Sequence, residues 1–139
     1  MDFVVDNALK NSDQNFDGME VHQATIKVIG AGGAGNNMVN WLYQKGVKGA
    51  EIIACNTDMQ HLSVTEADRK FLIGRETTRG LGCGGFPERG TESAQEQMND
   101  IKESLKGSDM VFVCAGMGGG TGTGAAHVIA EVARDLGSI

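Results

Sequence analysis

Short apolar runs alternate with longer amphipathic stretches along the chain. Thr25-Ile26-Lys27-Val28-Ile29, Glu51-Ile52-Ile53-Ala54-Cys55, Lys70-Phe71-Leu72-Ile73 and Met110-Val111-Phe112-Val113-Cys114 are rich in β-branched and other apolar residues. Runs of this length and composition predict strands buried in a sheet. After the first, Met38, Val39, Leu42 and Tyr43 recur at helical spacing until Gly46. A short helix is predicted over Met59 to Val64, with Asp58 as N-cap. Ala94, Met98, Ile101 and Leu105 form one stripe, predicting a helix from Glu92 to Leu105 capped by Thr91 and stopped by Gly107. Val128, Ile129, Val132 and Leu136 predict a last helix from Ala125 to Leu136, ended by Gly137.

Strand and helix in alternation imply an α/β fold with a Rossmann-like, doubly wound parallel sheet. Right-handed crossovers then bring the loops after all four strands to one edge. The run at 110–114 is apolar throughout and belongs in the middle of a complete sheet. Residues 1–23 differ from the rest: Asp2, Asp6, Asp13, Asp17 and Glu20 make them acidic, and they read as a flexible arm ahead of the folded part, 24–139.

The glycines change the picture from fold to chemistry. There are 21, against one Pro, and they cluster behind the strands, which argues for tight loops rather than a low-complexity tract. Ala115-Gly116-Met117-Gly118-Gly119-Gly120-Thr121-Gly122-Thr123-Gly124 joins the fourth strand to the last helix. Main-chain N–H groups there have no side chains to block them, and the helix N-terminus adds partial positive charge, so the stretch is built to receive an anion. Thr121 and Thr123 can donate to phosphate oxygens or cap the helix. No Lys follows, which excludes the Gly-x-x-x-x-Gly-Lys-Ser/Thr phosphate loop. Gly30, Gly32 and Gly35 satisfy Gly-x-Gly-x-x-Gly between the first strand and its helix. Asn56-Thr57-Asp58 ends the second strand, and a third cluster, Gly80-Leu81-Gly82-Cys83-Gly84-Gly85, lies in the loop 74–90 with Arg75, Arg79 and Arg89 within reach of a phosphate.

Charge and cysteines narrow the classes. A net charge of −6 disfavours a nucleic-acid groove. It leaves room for a nucleotide held by main-chain amides. No apolar run reaches a membrane span. Cys55, Cys83 and Cys114 are odd in number and far apart, as expected of reduced thiols in a cytoplasmic protein. No Cys/His set has metal-ligand spacing, and no catalytic residue stands out.

Gly118 to Gly124 resembles the tubulin signature. Ile26 to Asn37, Asn56-Thr57-Asp58 and Gly80 to Glu88 resemble, in order, nucleotide loops of the FtsZ branch of the tubulin/FtsZ GTPases. The resemblance runs over residues 24–139 and implies GTP/GDP binding, magnesium accompanying GTP, and head-to-tail polymerisation into the filaments of a division ring. It implies that Gly33, Ala34, Gly35, Asn36 and Asn37 meet the phosphates and sugar. Gly120, Thr121 and Gly122 would wrap the α- and β-phosphates, with Gly118, Gly119 and Thr123 also among the nucleotide-binding residues. Gly84 and Gly85 would sense the γ-phosphate, and Asn56 and Asp58 would lie near phosphates or magnesium. His127 stands where the family usually has Pro, and Phe86 where a polar residue is common.

The resemblance also implies that the family's guanine-stacking helix, catalytic carboxylate loop and second domain lie outside this chain, which is expected to be a partial GTP-binding domain. Hydrolysis by the chain alone is then expected to be negligible. Its fourth strand is expected at an edge, inviting self-association, element swapping or a complementary C-terminal half. Gly120→Ser is expected to block phosphate more than it harms folding. Two other readings stand beside this one. A nicotinamide-dependent dehydrogenase would use Gly30-x-Gly32-x-x-Gly35, with Asp58 three residues late for the acidic position. A pure assembly protein would keep the loops as relics.

Overall fold

The side-chain alternation of β1 (Ile26–Ala31) decides how the layers are built. The computed structural model describes residues 22–139; the acidic arm expected over 1–23 lies almost wholly outside them. β1 pairs in parallel with β2 (Ala50–Asn56) on one side and β4 (Met110–Ala115) on the other, and β2 pairs with β3 (Arg69–Leu72). The order is β3-β2-β1-β4. Ile29 and Ala31 of β1, with Ile53 and Cys55 of β2, face one side of the sheet; Val28, Ile52 and Ala54 face the other. Both interior strands are therefore apolar on both faces, as a doubly covered parallel sheet requires.

The helices divide accordingly. α1 (Gly32–Lys45) and α2 (Met59–Val64) contribute Val39 and Leu62 to the second face. α3 (Pro87–Glu96), α4 (Met98–Leu105) and α5 (Thr121–Asp135) place Ala94, Ile101, Leu105, Val128, Ile129 and Val132 on the first. Lys27, on the strand before the core begins, is buried and donates to the carbonyls of Ser104 and Lys106 at 2.9 and 3.2 Å. It thus satisfies main-chain acceptors at the end of α4, where no intrahelical donor remains.

Three local expectations are corrected. The turn expected over Gly30 to Asn37 is already helix from Gly32, which opens α1 at φ +75°. The last helix likewise begins at Thr121, not Ala125. The single helix expected over Glu92 to Leu105 starts earlier, at Pro87, and is broken at Gln97 (φ −100°, ψ 32°). Pro suits a first helical position, so Thr91 lies inside α3 and does not cap it. At the break, Gln97 Oε1 accepts from Gly74 N at 2.6 Å, and Glu96 accepts from the amides of Glu76 and Thr77 at 2.8 and 3.2 Å. The helix gives up its straight run to hold the loop that follows β3. The edge position expected for the fourth strand of this chain is found: β4 ends the sheet, and Phe112 is 52 % exposed. Ile139 lies against that edge, with Val111 N donating to its carbonyl and its own N donating to Asp109 O, both at 2.9 Å.

The Glu96 carboxylate is held below its usual range, chiefly by the Glu76 amide; burial opposes this, and the hydroxyl and amide of Thr77 add to the lowering. A depressed carboxylate pKa adds stability above the ordinary carboxylate range and loses it as pH falls through the lowered value. The protection of the Glu76 and Thr77 amides against hydrogen exchange, taken relative to the intrinsic rate at each pH, is therefore expected to fall as pH falls from 6 to 3. In Glu96→Gln that protection is expected to be low throughout and to lose its pH dependence.

Candidate functional site

The carboxyl ends of the four strands, and the N-termini of α1 and α5, meet at one edge of the sheet. They meet closely because glycines let main chain rest on main chain. A Cβ on Gly35 would stand 2.5 Å from Cys114 O, and one on Gly30 would run into the Gly35 carbonyl. A Cβ on Gly32 would meet Gly122 N at 2.8 Å, and one on Gly122 would meet Gly116 O at 3.0 Å. So the fingerprint glycines of the first loop are packing positions. They set α1 directly against β1, β4 and the start of α5.

Within the loop 116–120, the two glycines at positions 118 and 119 behave differently. Gly118, at φ +97°, and Gly119 have nothing within 4 Å of an added Cβ, and neither has Gly85 across from them. Gly118 N donates to Thr123 Oγ1 at 3.0 Å, which fixes the turn against the first turn of α5. This leaves unobstructed main chain at the mouth of a fifteen-residue helix. The aligned peptide dipoles there amount to roughly half a positive charge. The main-chain geometry favours an anion with several oxygens, such as a phosphate group.

Beneath the mouth, the loops are bolted together by side chains. Thr57 and Thr121 share a buried hydroxyl–hydroxyl bond of 2.6 Å, and the Thr121 hydroxyl also donates to Cys83 Sγ at 3.3 Å. Gly120 packs on Cys83, where a Cβ would approach the Cys83 Cβ to 2.7 Å. The loops after β2, β3 and β4 are thereby locked to one another. Thr57 and Cys83 went unassigned at the sequence level; the only signal was their position beside the candidate residues. Burial drives the Cys55 thiol up to about 12 and also raises Cys114, so both are protonated at neutral pH.

The candidate residues sort into three groups. Gly118, Gly119, Gly84 and Gly85 are exposed at the mouth, with Gly33, Ala34 and Asn37 on the facing first turns of α1. Gly120, Thr121, Gly122 and Gly35 are buried, and Thr123 turns towards the loop it stabilises. Asn36 and Asn56 are buried too, and their side chains serve the scaffold. Asn36 Nδ2 donates to Gly30 O and Cys55 O at 3.1 and 2.9 Å, Asn56 Nδ2 donates to Asn36 Oδ1 at 3.2 Å, and Asn56 Oδ1 accepts from the Thr57 and Asp58 amides. Asp58 caps α2, its Oδ1 accepting from His61 N at 3.0 Å.

Arg75 and Arg79 line a cavity of about 400 Å³ with Met59 and Leu72, outside the glycine crevice; Arg89 is exposed on α3. A second cavity of about 410 Å³, between Tyr43 and Lys70, is also remote from the mouth. Phe86 is 60 % exposed at the start of α3, beside the mouth, and His127 is exposed on α5. Among the described residues no three His, Cys, Asp or Glu side chains gather to hold a metal ion, and no helix is long and apolar enough to cross a membrane.

A sequence model of the Tubulin/FtsZ family, GTPase domain, matches residues 25–139. Cell division protein FtsZ 2 of Methanocaldococcus jannaschii is 58 % identical over 120 residues, covering 86 % of this chain and 32 % of that protein. Cell division protein FtsZ 2 of Haloferax volcanii is 49 % identical over 133 residues, covering 96 % of this chain and 32 % of that protein. Among solved structures, the empty FtsZ dimer of M. jannaschii superposes with a TM-score of 0.83 at 46 % identity, over 96 % of this chain and 37 % of that one. The GTPγS-bound protofilament of CetZ2 from H. volcanii superposes at 0.68 with 29 % identity, over 77 % and 35 %.

The chain thus spans about a third of the length of the curated relatives it matches. The dehydrogenase reading finds no support: the matching family model and relatives are of the tubulin/FtsZ kind. Matched from β1 to Ile139 by the family model, and more than half identical to FtsZ over most of its length, the chain belongs to the tubulin/FtsZ family of GTPases.

Proposed function

We propose that this chain forms the phosphate side of a GTP/GDP site in an FtsZ-type, filament-forming GTPase of the cytoplasm. The observation that carries the reading is the open main chain of Gly118, Gly119 and Gly85 around the N-terminus of α5. Gly118 and Gly119 receive the α- and β-phosphates, and Gly84 and Gly85 stand where a third phosphate would extend. Gly33, Ala34 and Asn37 close the groove on the α1 side. Asn36, Asn56, Thr57, Cys83, Thr121 and Gly122 hold these loops in place.

Magnesium fits as an ion carried by the nucleotide's own phosphates. Such ions keep several waters and take one or two protein carboxylates, and Asp58 Oδ2 is the carboxylate oxygen at the mouth not used in capping. Apart from Asp58 and the His61 imidazole, which is hydrogen-bonded to Asn37, the mouth offers main-chain amides and hydroxyls. We expect negligible GTP turnover from this chain alone. Sustained magnesium-dependent phosphate release that disappears in Thr121→Ala would contradict this. Filament growth is supported by the protofilament arrangement of CetZ2 and the FtsZ dimer among the structural neighbours. The part of the β4 edge beyond its pairing with Ile139, with Phe112 exposed beside it, offers this chain a second contact with itself or with a complementary segment.

Two glycine substitutions separate binding from folding. Gly119→Val adds its side chain to open space, so GDP affinity is expected to fall about tenfold or more, equivalent to about 1.4 kcal/mol, with the unfolding midpoint unchanged. Gly120→Ser, by contrast, drives a Cβ into Cys83 and towards Phe86 N at 3.1 Å. It is expected to destabilise the fold as well as to obstruct phosphate. Calorimetric titration with GDP, with ATP and NAD as controls and light scattering alongside, tests the reading. Equal GDP binding by the parent and Gly119→Val would remove the phosphates from this loop, and a monomer at high concentration would remove the β4 contact.

A further inference from the structure

Asp58, His61 and Asn37 form a hydrogen-bonded series across the mouth of the crevice. Asp58 Oδ1 accepts from the main-chain N of His61 at 3.0 Å, and His61 Nε2 lies 3.0 Å from Asn37 Oδ1. The imidazole rests over the first turn of α1: a Cβ on Gly33 would stand 3.5 Å from its Cε1 and 3.6 Å from its Nδ1. The loops after β1 and β2 are joined at the surface by this one side chain.

The pair is poorly explained as a stabilising contact. Both side chains are at the surface, where a hydrogen bond adds little because water competes for the same groups. α2 is already anchored without the imidazole, by the Asp58 cap, by Thr65 Oγ1 donating to His61 O at 2.9 Å, and by the buried Leu62. What the imidazole does determine is the rotation of the Asn37 carboxamide. With Nε2–H donating to Oδ1, the two Nδ2 hydrogens of Asn37 are turned away from the ring and left for another acceptor. No other partner of the Asn37 side chain occurs among the described residues.

We propose that His61 is a positioning residue for the bound nucleotide, presenting the Asn37 amide to an oxygen of a guanosine diphosphate. This rests on the GTP/GDP reading of the crevice. The imidazole touches no reacting atom; it fixes beforehand a donor that would otherwise lose rotational freedom on binding, and such pre-organisation raises affinity without adding a contact.

The test compares GDP binding by the parent chain, His61→Ala, His61→Gln, Asn37→Ala and the double variant His61→Ala/Asn37→Ala. Side-chain amide resonances of Asn37 are followed without nucleotide. His61→Ala is expected to weaken GDP binding about three- to tenfold at an unchanged unfolding midpoint. It is also expected to shift the Asn37 NH2 signals. His61→Gln places a donor near the former Nε2 and is expected to restore both. In the Asn37→Ala background, removing the imidazole is expected to change nothing further. Parent-like binding by His61→Ala, an unmoved Asn37 signal, or additive losses in the double variant would each overturn the role of His61 while leaving the nucleotide site intact. Absence of GDP binding by the parent chain would overturn the nucleotide reading itself, and the role of His61 with it.

Discussion

Main chain packed directly on main chain is the constraint on which this structure depends. Gly35 against the carbonyl of Cys114, and Gly32 and Gly122 against each other, bring the N-termini of α1 and α5 to the same edge of the sheet. Any side chain at these positions would wedge the helices away from the strands and separate the two dipole ends. The cost of the arrangement is conformational: glycine loses more freedom on folding than any other residue. That loss is offset by the core on both faces of the sheet, in which Ile29, Ile53, Ile101 and Ile129 are fully buried.

A division of labour follows. Glycines of the first loop are structural although they carry the recognisable motif, whereas Gly118, Gly119 and Gly85 have open space where a side chain would be. Between the two sets lies a buried polar layer, with Asn36 and Asn56 tying β1 to β2 and Thr57, Thr121 and Cys83 tying three loops together. Every buried side-chain nitrogen and oxygen among the described residues has a partner. In a low-dielectric interior a satisfied network of this kind rigidifies the loops above it. The mouth can therefore be made of glycine without being soft.

The loop after β3 is held by a different device. Glu96 and Gln97 reach from the α3–α4 break to the amides of residues 74–77, so the third wall of the crevice depends on a helix being interrupted. Periodicity could not reveal this, because the apolar stripe from Ala94 to Leu105 continues across the interruption. The hydrogen bonds that reward the break come from residues some twenty positions away.

What the sequence determined by itself was the alternation of strands and helices apart from the α3–α4 break, the two-faced parallel sheet and the family. These rest on local signals: apolar runs, helical spacing and glycine clusters, each read within a dozen residues. The tertiary structure alone decided which glycines pack and which face open space, since Gly32 and Gly119 look alike along the chain and differ only in what lies opposite. It also decided that the amides of Asn36 and Asn56 turn inward and that His61 meets Asn37. Those outcomes depend on neighbours brought in by strand pairing. A side chain's hydrogen-bond partner is fixed only when the whole edge of the sheet is assembled.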